Sequence, residues 1–195
     1  MDLTVGIGEH TSSAVSPVED VGPAARLESV FSLHATKKLR DRARQPIAAA
    51  VAEPTTLLGD WYGTVLFWQP QLALLVNEQT LFPVLMPLAP AATLLTRFPD
   101  ALGKTMAAGG VERRFIEAEL AEMRQGQWAR TANRSVIGIM NEFSHLANHL
   151  KRHRDADPIE VALWLAQTPC GPLFGRHGSP DREVAAAVRS WSASR

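Results

Sequence analysis

Between Trp61 and Leu88 three apolar runs are packed so closely along the chain that few topologies can hold them. Trp61 to Trp68, Leu72 to Val76 and Leu81 to Leu88 are separated only by Gln69-Pro70-Gln71 and by Asn77-Glu78-Gln79-Thr80. Parallel neighbours need about a dozen linking residues or more, whereas antiparallel neighbours need as few as two. The stretch therefore predicts an antiparallel meander. Pro83 cannot donate to a ladder, which places the third run at an edge or at a bulge.

Other elements can be read around this centre. Val30-Phe31-Ser32-Leu33-His34 alternates as a strand does, with Val30, Ser32 and His34 on one side and Phe31 and Leu33 on the other. Thr36 is placed to cap a short helix from Lys37, which must end before Pro46. Ala48 to Asp60 reads as a connector. Leu94, Phe98, Leu102 and Met106 then recur every four residues, a helix face interrupted by Pro99 and closed by Gly109-Gly110. A second helix, Glu112 to Gln125, directs Phe115, Ile116, Leu120 and Met123 inward and its acids and arginines to water. Gln127 to Thr131 is suited to return as a last strand. Asn133 or Ser135 caps a helix to about His153, with Val136, Met140, Phe143, Ala147 and Leu150 on one face and Asn141, His145, Asn148 and Arg152 opposite. Asp157-Pro158-Ile159-Glu160 is a capping box, and Ser179-Pro180 opens a final helix to Trp191. The expectation is an α+β domain over residues 28–195, a mostly antiparallel sheet of about five strands packed against several helices, with a helical C-terminal third. Residues 1–27 carry no periodicity and read as a mobile arm.

Twenty basic and twenty acidic side chains cancel to a formal charge of zero, so any grip on nucleic acid must use a local patch. The one cysteine, Cys170, cannot form an internal disulfide, and no apolar run approaches the roughly 18 to 20 residues that span a bilayer. A soluble, cytoplasmic protein without a membrane partner is expected.

Several strings together resemble an uncharacterised bacterial domain family of unknown function. They are Leu33-His-Ala-Thr-Lys-Lys-Leu39, Gly59-Asp-Trp-Tyr62, Leu75-Val-Asn-Glu-Gln-Thr-Leu-Phe-Pro-Val-Leu85, Ala92-Thr-Leu-Leu-Thr-Arg-Phe-Pro99, Thr131-Ala-Asn-Arg-Ser-Val-Ile-Gly-Ile-Met-Asn141 and Thr168-Pro-Cys-Gly-Pro-Leu173. The resemblance runs from about residue 30 to about residue 190. It implies one intact domain and carries no established activity.

The chemistry must therefore come from the residues. Arg130, Thr131, Asn133, Arg134 and Ser135 set guanidinium groups and hydrogen-bond donors beside a helix N-terminus, where a phosphate or carboxylate is favoured, and Lys37 could join them. The plainer reading of the same residues is a cap with surface ion pairs. Two basic runs, Lys37 to Arg44 and Lys151 to Arg154, would make a nucleic-acid face if the fold joined them. His34 or His145 could act as a general base in a nuclease-like site with Arg130 or Arg134 on the phosphate; alone, each is a structural or solvated histidine. His145, His149 and His153 recur at i, i+4 and i+8 without the glutamate of a zinc protease, so no metal and no cofactor are assigned. Cys170 reads as a packed thiol. Trp61, Trp68, Trp128 and Trp164 read as core, with base stacking on Trp61 or Tyr62 only if the sheet face is open. The sequence thus favours a binding domain for an anionic group, nucleic acid among the candidates, over a small phosphodiester-cleaving enzyme.

Overall fold

The computed structural model describes residues 30–153 and 157–195, so the arm expected over residues 1–27 lies outside it. Strand β1 (Val30–Ala35) and helix α1 (Lys37–Ala43) precede the meander, which is formed by β2 (Trp61–Leu66), β3 (Leu72–Asn77) and β4 (Pro83–Pro87). Helices α2 (Leu94–Ala108) and α3 (Arg113–Glu122) lead to β5 (Gln125–Arg130), and α4 (Arg134–His153), α5 (Pro158–Ala166) and α6 (Pro180–Ala193) complete the chain. The fold is α+β, with five strands in the order β4-β3-β2-β1-β5.

Both meander pairings are antiparallel, and Pro83 begins the edge strand β4. The other two pairings are parallel: β1 runs alongside both β2 and β5. The sheet is thus mixed where a mostly antiparallel one was expected. The long segment from α1 to Asp60 gives the chain room to cross over before β2, and the two helices after β4 carry it from one edge of the sheet to the other.

Alternation along the strands builds a core on each face. Phe31, Leu33, Trp61, Val65, Leu75 and Val84 meet Phe98, Leu102 and Met106 of α2 and Phe115 of α3, with Val184 and Trp191 of α6 beside them. Tyr62, Leu66, Leu74, Val76 and Leu85 meet Val136, Met140, Phe143 and Ala147 of α4 and Val161 and Leu165 of α5. No helix among the described residues is long and apolar enough to cross a membrane.

Four details depart from the sequence reading or choose between its alternatives. Thr36 occupies the N-cap of α1 but makes no side-chain cap; its hydroxyl is turned instead toward β2, where it donates to Thr64 Oγ1 at 3.1 Å. Asn133, not Ser135, caps α4: its Oδ1 accepts from the amides of Ser135 at 3.0 Å and Val136 at 3.3 Å. Glu119, expected in water, is fully buried and accepts from the amides of Leu57 and Leu58. Trp164, expected in the core, is 42% exposed because α5 turns Val161 and Leu165 inward instead.

Gly63 shows how tightly the first core closes. A Cβ there would lie 2.8 Å from Leu39 Cδ2, 3.0 Å from Leu75 Cδ2 and 3.2 Å from Leu33 Cδ1, all on fully buried side chains. Gly63→Ala is expected to cost about 1–3 kcal/mol through overpacking, read as a lower urea midpoint at unchanged slope.

Candidate functional site

Ser32 and His34 leave β1 on the face opposite Phe31 and Leu33. The parallel register places His34 beside Tyr62, and the two rings stack with centroids 4.7 Å apart and planes at 14°. Pairing of β2 with β3 sets Trp61 opposite Asn77, which brings Asp60 and Glu78 together just beyond the two strands. The Glu78 amide donates to the Asp60 carbonyl at 3.0 Å. His34, Asp60 and Glu78 each offer one atom, and the three atoms lie within 4.8 Å of one another.

Each of these side chains is also held from behind. His34 Nδ1 lies 2.8 Å from the Arg130 carbonyl, which can only accept, so Nδ1 carries the hydrogen. Asp60 Oδ1 accepts from the Ser32 amide at 2.8 Å. Glu78 Oε1 accepts from Asn133 Nδ2 at 3.0 Å and from the Tyr62 hydroxyl at 3.4 Å. Tyr62 Oη in turn accepts from the Asn133 amide at 3.1 Å. His34 Nε2 is left facing Asp60 Oδ2 at 3.3 Å. Burial alone would lower the His34 pKa, but the hydrogen bonds with Asp60 and the Arg130 carbonyl, together with the charges of Asp60 and Glu78, outweigh it and raise the value above the ordinary one. The Tyr62 phenol is pushed up, chiefly by burial.

The residues proposed from sequence for the strand-to-helix junction are divided by this geometry. Arg130 meets His34 through its carbonyl; alternation sends its side chain from the face of Trp128 and Ala35, away from His34. Asn133 is engaged by Glu78 and by the helix cap, while Thr131 is half-buried and Arg134 and Ser135 are exposed. Lys37 is tied to Asp41 at 2.7 Å on the surface. His34 and Asn133 are therefore brought to one cluster, and the head group of Lys37 is not. Tyr62 and Trp61 are buried, which removes them as stacking platforms.

A second feature lies farther along the same face of the sheet. Phe67 and Trp68 follow β2, and Asn141, His145 and Asn148 stand on the polar side of α4. These residues and Thr64 line a cleft of about 600 Å³, within the range of small-ligand sites. Lys38 from the first basic run and Lys151 from the second both reach it. Phe67 is 55% exposed, with Lys38 Nζ 5.7 Å and Arg42 Cζ 5.5 Å from its ring centroid. Lys151 Nζ lies 5.8 Å from the Trp68 ring, and Trp68 Nε1 donates to Asn148 Oδ1 at 2.7 Å. No Asp or Glu is among the described residues lining the cleft.

A family model described as a domain of unknown function, DUF6933, matches residues 32–183, from Ser32 in β1 to Glu183 in α6. The chain belongs to that family. No curated protein matches it. In this DUF6933 domain the matched segment contains both the His34 cluster and the cleft. Cys170 is buried as expected, and burial with the Glu142 charge pushes its thiol up to about 11, out of nucleophilic range.

Asp60 and Glu78 are the site residues that sequence reading missed. The usable signal is that each acid directly adjoins an apolar strand, before Trp61 and after Asn77.

Proposed function

We propose that the domain is a binding module for an anionic ligand bearing an aromatic ring, namely a nucleotide unit, held in the cleft between α1, the end of β2 and α4. The observation that carries this reading is the meeting of Lys38 and Lys151, from two distant basic runs, at one aromatic-lined cleft with no acidic side chain among its described lining residues, and with Arg42 over the ring of Phe67. Lysine and arginine supply the counter-charge for phosphate, and Phe67 supplies an exposed ring for stacking. The polar edge of α4, with Asn141, His145 and Asn148, offers hydrogen bonds to a base or sugar.

Fluorescence titration with labelled single-stranded RNA and DNA and with free mononucleotides tests it. The Lys38→Glu, Lys151→Glu double variant is expected to bind at least tenfold more weakly, with a shallower salt dependence. Phe67→Ala is expected to lose about 1–3 kcal/mol, the worth of one stacked base. Binding only by oligonucleotides would mark a strand, and binding also by mononucleotides a small ligand. Unchanged affinity in the cleft variants, with loss in Arg134→Ala, would move the site to the junction at residues 130–135. Fragmentation of the labelled strand would replace binding by phosphodiester cleavage.

A further inference from the structure

We propose that His34, Asp60 and Glu78 form a binding site for a divalent first-row transition ion such as zinc or manganese. The site does not depend on the reading of the cleft.

The donor set comes first. One imidazole nitrogen and two carboxylate oxygens, with no sulfur, suit Zn²⁺, Mn²⁺ or Fe²⁺, whereas Mg²⁺ and Ca²⁺ favour oxygen alone. The two carboxylates also match the ion's charge. All three donor atoms converge within 4.8 Å, and three protein ligands leave coordination positions for water or a substrate.

Orientation supplies the second, independent argument. Metal-binding histidines typically give their other ring N–H to a carbonyl or carboxylate, which fixes the tautomer and turns the lone pair to the ion. His34 has that arrangement: Nδ1–H is spent on the Arg130 carbonyl, and stacking on Tyr62 holds the ring plane. Nε2 points at Asp60 Oδ2 from 3.3 Å, with His34 and Asp60 both more than nine-tenths buried: in the doubly protonated ring Nε2–H donates to that oxygen, and once the proton leaves, the Nε2 lone pair is aimed at the same point. A divalent ion can therefore take the place of that proton, bound by Nε2 and the Asp60 carboxylate without any change of ring orientation. Asp60 and Glu78 are fixed in the same manner, by the Ser32 amide and by Asn133. Each ligand therefore has its support in place from a different element of the fold.

The test is calorimetric titration of the chelator-treated full chain with Zn²⁺ and with Mn²⁺, paired with thermal melts. One ion per chain is expected, together with a rise in melting temperature. Asp60→Asn and Glu78→Gln should each weaken binding at least tenfold. Both variants keep an acceptor oxygen, for the Ser32 amide and for Asn133 respectively, and Glu78 is only half-buried. Should Asp60→Asn fail to fold, Glu78→Gln alone decides. The exposed pair His145 and His149 could capture zinc from the surface of α4, so a His145→Gln, His149→Gln double variant serves as control and should bind as the parent does. Absence of binding by the parent chain overturns the proposal. So does binding that survives Glu78→Gln or vanishes in the α4 double variant.

Discussion

Asn77→Ala is expected to lower the free energy of unfolding by about 3–5 kcal/mol, because it strips partners from several buried polar groups at once. Asn77 is fully buried at the end of β3. Its Nδ2 donates to the Leu58 carbonyl at 2.8 Å and to the Asp60 carbonyl at 3.2 Å. Its Oδ1 accepts from the amides of Gln79 and Thr80 and from the Thr80 hydroxyl. The turn it closes holds Leu81 at φ 57°, a left-handed conformation costing of order 1–2 kcal/mol in a residue with a Cβ. The Asn77 bonds outweigh that cost. One side chain thus ties the segment before β2 to the turn after β3, the two places that supply Asp60 and Glu78. Asn77→Asp is expected to destabilise as well, since it keeps the acceptor but replaces the amide donor by an oxygen facing two carbonyls. Urea unfolding of both variants checks this. A loss under about 1 kcal/mol in Asn77→Ala would mean that water or relaxation satisfies the orphaned groups.

Asn77 also marks the boundary of what the amino-acid sequence discloses. Its strand is legible because apolar character over Leu72 to Val76 is a local property, and the short turns on either side fix antiparallel pairing. The cap on α4 is legible for the same reason: Asn133 and the amides it binds are near neighbours in the chain. Parallel pairing of β1 with β2 and β5 is not, since a long connector leaves the choice of partner to tertiary packing. The His34 cluster follows that choice. His34 and Asn133 can be singled out one at a time, but Asp60 and Glu78 join them only through two strand registers, and a place beside an apolar strand marks each acid without saying which residues it will meet. Glu119 and Trp164 fail in complementary ways. Helical periodicity places a residue on a face without saying what covers that face, so a glutamate can be buried under the Leu57-Leu58 amides while a tryptophan stays half in water.

Glu119 should make the stability of the domain fall as pH rises from about 4.5 to about 7. Burial raises its pKa from 4.5 to about 7, against the pull of the Leu58 and Leu57 amides and with help from the Glu122 charge. Within that window the folded chain holds a proton on Glu119 that the unfolded chain has released. The unfolded state therefore binds fewer protons, and stability declines with pH. At about 1.4 kcal/mol per unit, the loss amounts to about 3 kcal/mol, complete above the folded-state pKa and absent below the unfolded one. Glu119→Gln keeps an oxygen for the amides of Leu57 and Leu58 and removes the ionisation. Its amide NH₂ would stand where Oε1 has no hydrogen-bond partner, a cost that lowers the variant at every pH alike. The informative quantity is therefore the difference between the two proteins as pH changes. Relative to the parent, Glu119→Gln should gain about 2.5 kcal/mol between pH 5 and pH 8, measured by urea unfolding across that range. Parallel curves for the two proteins would show that Glu119 ionises in the folded state at an ordinary pKa, with water reaching the carboxylate beneath α3.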